Sequence, residues 1–507
     1  MPAPQAISIP FPRGGVVRNL AHNEQQLRTT PNALNIWPAR PADGRLGGGT
    51  RPDLVSIGAV GSNPCHWTTF AYKGAGGTFG AFVVRVTAVV SNTGGTRISA
   101  DGQGSWTSAI ATSPASDFCS VAAFRQILFQ ASAGTTNVYY KDYSDSSTGT
   151  LASNVTAGTP PEHVGAICNW NGRLLAGGIK NETHVVRGSA LGDPFNWDES
   201  SPDADAAFGT TGSGDSKIGE PVVVVFAHNH DCAFVSGLGS SYVLSGNPAS
   251  SGFVAKVSST VGAISMSAIA KATTDDTYLL TRIGPHIMPA GCGSPLIPIG
   301  GSIPNDLIGV DPADGHWGSL CFDARWRMMH FITNKSGGDP AYWAYQIDDK
   351  SWWPMDASST MRLGIEIPGI ANDDVASALY VDTSGNVYNF DRSVAEESIT
   401  SYYDVGPFDL ADGPGVMGML TGLNCELAAD SGPVYAAVHT GNSRERAADS
   451  TTPIDTYTFD REGYNVEALP RFRDKACRVR LSCDSDQRMS VEALLPTIAT
   501  VAKRRSE

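Results

Sequence analysis

The chain has 507 residues, of which 41% are hydrophobic and 17% charged, with 55 glycines and 31 prolines. This length can bury a large core, and the abundance of turn residues is typical of all-β rather than helical proteins. The formal net charge of −14 disfavours tight, sequence-independent binding to a phosphate backbone, which depends on clustered Lys and Arg. The acidic excess is compatible with ordinary solubility charge or with a channel wall that repels DNA.

The first 52 residues predict extended strands. Residues 31–38 and 43–51 are short apolar or glycine-rich segments separated by turn residues. The chain begins without the charged and apolar regions of a signal peptide, and no later stretch approaches about 18 apolar residues. We therefore expect neither secretion nor a membrane-spanning segment, and we assign residues 1–52 to a platform that the N-terminal strands share with the end of the chain.

Residues 53–395 repeat a pattern of apolar strand, turn, second apolar strand, polar connection and further strands. The repeat length of about 40 to 50 residues is typical of propeller blades. The predicted units lie near 53–102, 116–160, 161–200, 218–256, 262–300, 314–357 and 368–393. We therefore predict an all-β protein with a β-propeller of about seven blades, with six or eight as alternatives.

Residues 396–507 contain apolar runs at 417–427, 434–439, 476–482 and 489–495, separated by turns. This pattern predicts a small antiparallel β-sandwich or platform domain. With the strands of residues 1–52 added, the second domain would be built from both ends of the chain.

The nine cysteines are scattered without a Cys-x-x-Cys pair, and their odd number argues against a disulfide framework and a zinc site. Several lie in apolar runs, for example Cys168 and Cys321, where a thiol behaves as a small buried hydrophobe. We expect folding in a reducing cytoplasm.

The most specific pattern lies between residues 162 and 248. An Asn-Gly turn at Asn171 and Gly172 precedes Ser-Ala-Leu-Gly-Asp-Pro-Phe-Asn-Trp at residues 189–197. Three apolar strands follow at 221–226, 232–237 and 241–248, and the last ends in Gly246-Asn247-Pro248. We expect positive φ angles at Gly172 and Gly246. This order resembles the propeller portion of structural proteins from the tails of short-tailed double-stranded DNA bacteriophages, and residues 12–51 resemble the opening of the same family.

The resemblance implies a tail nozzle or hub protein without enzymatic activity. Such a protein would form a homo-hexameric ring below the portal and adaptor proteins, hold fibres or spikes outside, and conduct double-stranded DNA during ejection without sequence-specific binding. It would assemble in the host cytoplasm and reside in the virion tail. The alternatives are a tail spike or receptor-binding protein that acts on host polysaccharide, and a neck adaptor or stopper.

Three groups of residues invite a chemical interpretation. His228, His230 and Asp231 could bind a divalent ion, but they occupy a tight reversal between two apolar strands, which favours a hairpin turn. Residues 311–316 and 382–386 resemble calcium loops, yet their acids are wrongly spaced, so we predict Asp/Gly turns there. No nucleophile elbow, Walker loop, His-Glu-x-x-His or dinucleotide fingerprint occurs. We predict no catalytic, cofactor-binding or metal-binding residue.

Five basic residues lie near the C-terminus. Arg471, Arg473 and Lys475 alternate along one predicted strand, and Arg478 and Arg480 follow. This pattern permits a phosphate-binding stripe, but it favours a solvated or subunit-facing strand that pairs with the acidic excess elsewhere.

Overall fold

We describe a computed structural model of the chain. It describes residues 4–501 except 22–23, 40–46, 74–82, 100–104, 115–118, 211–217, 251–252, 304–306, 336–339, 358, 368–377, 392–397 and 412–415. The chain begins with short strands β1 (Gln5–Ala6), β2 (Ile9–Pro10), β3 (Ala33–Leu34), β4 (Ile36–Pro38) and β5 (Gly48–Thr50), and then enters β6 (Asp53–Ala59).

Seven four-stranded antiparallel sheets follow one another in the described part of the chain. The first holds β7 (Pro64–Lys73), β8 (Val83–Ser91), β9 (Gly95–Ser99) and β10 (Thr107–Ile110), and the second holds β11 (Cys119–Phe124), β12 (Ile127–Ser132), β13 (Tyr139–Asp142) and β14 (Thr148–Thr150). The third holds β16 (Ala166–Trp170), β17 (Arg173–Gly177), β18 (Arg187–Gly188) and β20 (Phe208–Gly209), while β15 (Ala157–Gly158) pairs in parallel with β19 (Asn196–Trp197).

The remaining four sheets continue the same order. The fourth holds β21 (Val224–Ala227), β22 (Cys232–Ser236), β23 (Ser241–Ser245) and β24 (Phe253–Ser258), and the fifth holds β25 (Ile269–Lys271), β26 (Thr277–Thr281), β27 (Gly284–Met288) and β28 (Ile297–Pro298). The sixth holds β29 (Trp317–Asp323), β30 (Met328–Asn334), β31 (Ala341–Gln346) and β32 (Ser351–Met355), and the seventh holds β33 (Met361–Glu366), β34 (Ala378–Asp382), β35 (Asn386–Asp391) and β6.

The first strands of the seven sheets form a closed ring. Neighbouring first strands contact each other from β7 through β33, and β33 returns to contact β7. Between the fourth and fifth sheets the contact runs through the 3-10 turn Met266–Ala268, which leads into β25. This arrangement is a seven-bladed β-propeller, so the predicted fold class is confirmed.

The ring is closed by a strand from the other end of the propeller segment. β6 forms the outer strand of the seventh blade, where Leu54 pairs with Phe390. The predicted unit at 53–102 therefore contributes to two blades rather than one. The hydrogen bonds between β6 and β35 join the two ends of the propeller segment within one blade, which stabilises the closed ring.

Two further sheets pack as the predicted antiparallel sandwich. β36 (Ser401–Asp409), β37 (Met417–Leu427), β38 (Val434–Gly441), β39 (Asp455–Phe459), β40 (Gly463–Tyr464), β41 (Phe472–Asp474), β42 (Ala476–Cys483) and β43 (Ser490–Val501) supply its C-terminal strands. One sheet has the order β4-β5-β43-β37-β40, with β1 and β2 also on β43 and β41 on β37; the other is β3-β36-β42-β38-β39. Both ends of the chain thus share this fold.

Alternating burial along the sandwich strands places its core between the two sheets. Leu420 and Cys425 of one sheet and Val438, Val479 and Leu481 of the other are fully buried. Helix α1 (Arg444–Asp449) lies against β36, β38 and β42. No helix among the described residues is long and apolar enough to cross a membrane.

Aromatic side chains fasten the sandwich to the propeller. Trp37 of β4 meets Trp326 and Phe390 of the sixth and seventh blades edge-on, with ring centroids 5.3 and 4.8 Å apart. Phe11 stacks on Trp353 of β32 at 5.5 Å and also touches Tyr403 of β36. The two parts therefore share one continuous apolar core.

Candidate functional site

Two cavities lie on the axis of the propeller. One of about 280 Å³ opens among residues at the beginnings of the inner strands, including Pro64, Cys119, Trp317 and Arg362. The other, of about 380 Å³, lies further along the same strands, among Thr68, Ala123, Asn169, Lys271 and Glu366. Met266 lines both cavities. Each is of a size that suits a small molecule rather than a macromolecule.

The first cavity is lined by polar groups that already have partners within the chain. The Nε of Arg362 donates to the carbonyl oxygen of Pro64 at 3.1 Å, and its guanidinium lies 5.5 Å from the centre of the Trp317 ring. The Ser267 hydroxyl donates to the carbonyl oxygen of Gly318 at 2.9 Å. These contacts hold the mouth of the cavity in place.

The second cavity contains a carboxyl group with unusual electrostatics. Burial raises the pKa of Glu366 to about 7, and repulsion from Asp323 adds to the shift. Burial also lowers the pKa of His66, which lines the same cavity, to about 4, although its Nδ1 accepts a hydrogen bond from the backbone N–H of Val121 at 3.2 Å. His66 is therefore neutral near pH 7, and Glu366 changes its charge in the same pH range.

Neither cavity is lined by two carboxyl groups among the described residues. Among the described residues that line either cavity, Glu366 is the only Asp or Glu, and glycoside hydrolysis usually requires two facing carboxyl groups. Lys271 lines the same cavity, but it forms an ion pair with Asp275 at 2.8 Å. The arrangement can bind a small polar molecule.

We expect Glu366→Gln to stabilise the protein increasingly as pH rises. As pH rises from about 4.5 through about 7, the Glu366 carboxyl loses its proton in the unfolded state before it does so in the folded state. The free energy of unfolding of wild type therefore falls over this pH range. The gain of Glu366→Gln over wild type should grow by about 2 kcal/mol between pH 5 and pH 8, in urea unfolding at each pH. Glu462→Gln, at an exposed position, is the control. Parallel stability curves for wild type and Glu366→Gln would contradict this.

The residues that suggested metal sites lie in separate turns. His228 is buried at the start of the turn between β21 and β22, and its Nδ1 lies 2.7 Å from the Thr277 hydroxyl. Asp311 caps the 3-10 turn Pro312–Asp314, and Asp382 accepts hydrogen bonds from Asn386 and Tyr388 within the β34–β35 hairpin. No group of three His, Cys, Asp or Glu side chains that could hold a metal ion occurs in the described ranges.

One pair of cysteines is bonded, although the sequence argues against a disulfide framework. Cys232 of β22 and Cys292, in the loop between β27 and β28, join the fourth and fifth blades, and the other seven cysteines are thiols. The partners are 60 residues apart, so their spacing carries no local signal, and an odd total does not exclude one bridge. Asn229 lies beside this bond, with its Oδ1 3.3 Å from the Cys232 sulfur.

The predicted basic stripe divides into two groups. Arg471, Arg473 and Lys475 are exposed, as a solvated or subunit-facing strand requires. Arg478 and Arg480 lie on β42 and bind Asp404 of β36 at 3.0 and 2.7 Å, so the predicted pairing with an acid occurs for both. Arg478 is buried rather than solvated, with 8% of its side chain exposed, whereas the Arg480 side chain is 32% exposed.

The sequence block at residues 189–197 has a structural role in the third blade. Trp197 is buried and its indole N–H donates to the carbonyl oxygen of Pro194 at 3.0 Å, while Asp193 accepts from the backbone N–H of Phe195 at 2.9 Å. Arg173, which the sequence analysis missed, braces this block by donating to the carbonyl oxygens of Ser189 and Ala206.

The expected glycine conformations are confirmed, with φ angles of 74° at Gly172 and 75° at Gly246. Gly172 accepts a hydrogen bond at its carbonyl oxygen from the backbone N–H of Gly192, at 2.8 Å. The hairpin turn and the 189–197 block therefore pack against each other, which explains why the two occur together in the sequence.

Comparisons with known proteins identify no relative by sequence. No protein-family model and no curated protein matches the chain. Solved structures with a similar fold include the extracellular domain of the one-component system BT4673 from B. thetaiotaomicron, with 9% identity and a TM-score of 0.38 over 81% of this chain and 48% of that one. YCF48 bound to D1 peptide has 9% identity and a TM-score of 0.41 over 67% and 99%. The chain spans about half the length of the first and nearly all of the second. These likenesses concern the β-propeller fold alone.

Proposed function

We propose that the chain is a structural subunit of the tail of a short-tailed double-stranded DNA bacteriophage, at the position of the nozzle or hub. In this proposal, copies of the chain form a ring, with six as the expected number, whose lumen conducts DNA during ejection. The portal and adaptor proteins lie above the ring, and fibres or spikes attach to its outer surface. The protein catalyses no reaction.

The observation that carries the proposal is the joint between the sandwich and the propeller. Both ends of the chain contribute strands to one sandwich. Trp37 and Phe11 connect this sandwich to the sixth and seventh blades through aromatic contacts. A subunit of this kind is rigid and presents different surfaces at its two ends. Head-to-tail contacts between two different surfaces generate a ring when the rotation closes.

The axial cavities support a DNA path between subunits rather than through a propeller. Their volumes of about 280 and 380 Å³ match small ligands, and Met266 lines both. A duplex, whose major groove alone is about 12 Å wide, does not fit. A lumen surrounded by several copies would have room for it, and a chain with 50 acidic against 36 basic residues would hold a polyanion weakly.

Imaging the purified full-length chain tests the proposal. We expect closed rings with a central lumen in negative-stain micrographs, and a mass near six subunits by light scattering. No reducing ends should appear when the protein is incubated with host capsule or lipopolysaccharide. Compact trimers without a lumen that release sugars would contradict the proposal and favour a tail spike. A monomer at all accessible concentrations would also overturn it.

A further inference from the structure

One edge of the sandwich is formed by an irregular segment, residues 461–475, which we call the edge segment. It runs beside β37, where Tyr464 pairs with Glu426, Ala468 bridges Leu423 and Phe472 pairs with Leu420. On its other side it pairs with no further strand in the described part of the chain. The edge segment is therefore the outer border of the eight-stranded sheet.

Large apolar side chains are exposed along the edge segment. Tyr464, Val466 and Leu469 have relative exposures of 68%, 72% and 59%, which are the three highest among the exposed large hydrophobic residues of the described chain. Single exposed hydrophobic residues are ordinary, but three within six positions form a patch that water disfavours.

Basic side chains flank this apolar patch. Arg461, Arg471, Arg473 and Lys475 are exposed, and their side chains have neither an ion pair nor a side-chain hydrogen bond among the described residues. The edge segment also carries three acids: Glu462 is exposed, Glu467 accepts a hydrogen bond from Thr497, and Asp474 accepts one from the backbone N–H of Lys475. The four basic side chains therefore exceed the acidic ones by one in this segment.

The backbone of the edge segment is not arranged to pair with another strand. Pro470 lacks an amide hydrogen, and Arg471 has a φ of 52°, which turns the chain out of an extended conformation. Such interruptions prevent a sheet edge from adding a foreign strand. A partner must therefore bind through side chains.

We propose that the edge segment is the contact surface for a second copy of this chain. This inference rests on the proposed function and deepens it, because it names one of the two surfaces that a head-to-tail ring requires. Tyr and Arg are the residue types enriched in the strongly binding centres of protein interfaces. The chain as a whole carries a charge of −14, so a second copy offers the acidic surface that the unpaired basic residues attract.

The exposed apolar side chains of the edge segment favour a second copy of the chain over DNA as its partner. Phosphate backbones are bound by Lys, Arg and backbone N–H groups, and exposed valine and leucine contribute nothing to that contact. A protein surface, in contrast, covers apolar and basic side chains together.

The test compares the assembly of three variants with that of wild type. Tyr464→Ser, Val466→Ser and Leu469→Ser are combined in one variant, and Arg473→Glu with Lys475→Glu in a second. Leu191→Ser with Ile283→Ser alters exposed hydrophobic residues on the propeller and is the control. All positions are exposed, so unchanged melting temperatures and circular dichroism should show that each variant folds. We expect the first two variants to weaken self-association at least tenfold in sedimentation experiments, and the control to assemble as wild type does.

The outcomes separate the inference from the proposed function. If wild type forms rings and both edge-segment variants form the same rings at the same concentrations, the inference is wrong and the proposed function stands. If wild type forms closed twofold dimers that the edge-segment variants abolish, the inference holds and the ring is wrong. If wild type does not self-associate, both fail. Binding to duplex DNA that falls steeply with salt and disappears in Arg473→Glu with Lys475→Glu would assign these residues to DNA and overturn the inference.

Discussion

Replacing Asp404 by Asn is expected to lower the free energy of unfolding by about 3–5 kcal/mol. The Asp404 carboxylate is 1% exposed and accepts hydrogen bonds from Arg478 at 3.0 Å and from Arg480 at 2.7 and 3.0 Å. Asn keeps the shape but removes the negative charge. Arg478, which is 8% exposed, would then remain buried without a carboxylate, and an uncompensated buried charge is costly.

A matched control comes from a surface pair on the same strand. Asp409 binds Arg444 of α1 at 2.8 Å, but its side chain is 52% exposed. Because exposed ion pairs contribute about 0–1 kcal/mol, Asp409→Asn should have little effect. Denaturant unfolding of wild type and both variants measures the difference. Similar losses for Asp404→Asn and Asp409→Asn would mean that solvent already screens the Asp404 cluster.

The repeated architecture could be predicted from the sequence because its signals are local. An apolar strand, a turn and another apolar strand occur within one blade, and Gly172 and Gly246 mark turns whose conformations follow from a few residues. The apolar runs separated by turns in the last quarter of the chain likewise indicated the strands of a sandwich.

The features that could not be predicted depend on contacts between distant residues. β6 closes the seventh blade more than 300 positions away, as in the pairing of Leu54 with Phe390. Cys232 bonds to a residue in the next blade, and Asp404 lies 74 positions from Arg478. A basic residue has the same appearance in the sequence whether solvent or a buried carboxylate faces it. Arg478 binds Asp404 whereas Arg473 is exposed, and this difference becomes visible only when the pairing of the strands is known.

The axial cavities illustrate the same limit for the candidate site. Glu366 has no motif around it, and its raised pKa arises from burial within a ring of strands and from Asp323 on the neighbouring blade. A sequence search for catalytic patterns cannot detect such a group. That no second Asp or Glu lines this cavity among the described residues also becomes visible only when the lining is known.

Trp37→Ala is expected to cost about 3–5 kcal/mol, the range for removing a fully buried large aromatic side chain. Trp37 is 1% exposed and contacts Trp326, His330 and Phe390, all of which belong to the propeller, although Trp37 itself belongs to the sandwich. The cavity left by Ala would therefore lie in the joint between the two parts. We expect a lower melting temperature and earlier proteolysis of the sandwich than of the propeller.

Trp317→Ala provides the control of the same residue type, because Trp317 is only half-buried, at the mouth of the first axial cavity. Trp317→Ala should lower the free energy of unfolding by less than half as much as Trp37→Ala, because folding buries less apolar area at Trp317 than at Trp37. Proteolysis should then affect both parts of the protein together. Two results would contradict this prediction: equal losses of stability in Trp37→Ala and Trp317→Ala, or a sandwich that resists proteolysis in Trp37→Ala as well as it does in wild type. Either result would mean that the aromatic contacts of Trp37 do not couple the sandwich to the propeller. The rigid subunit on which the proposed ring depends would then need another source of rigidity.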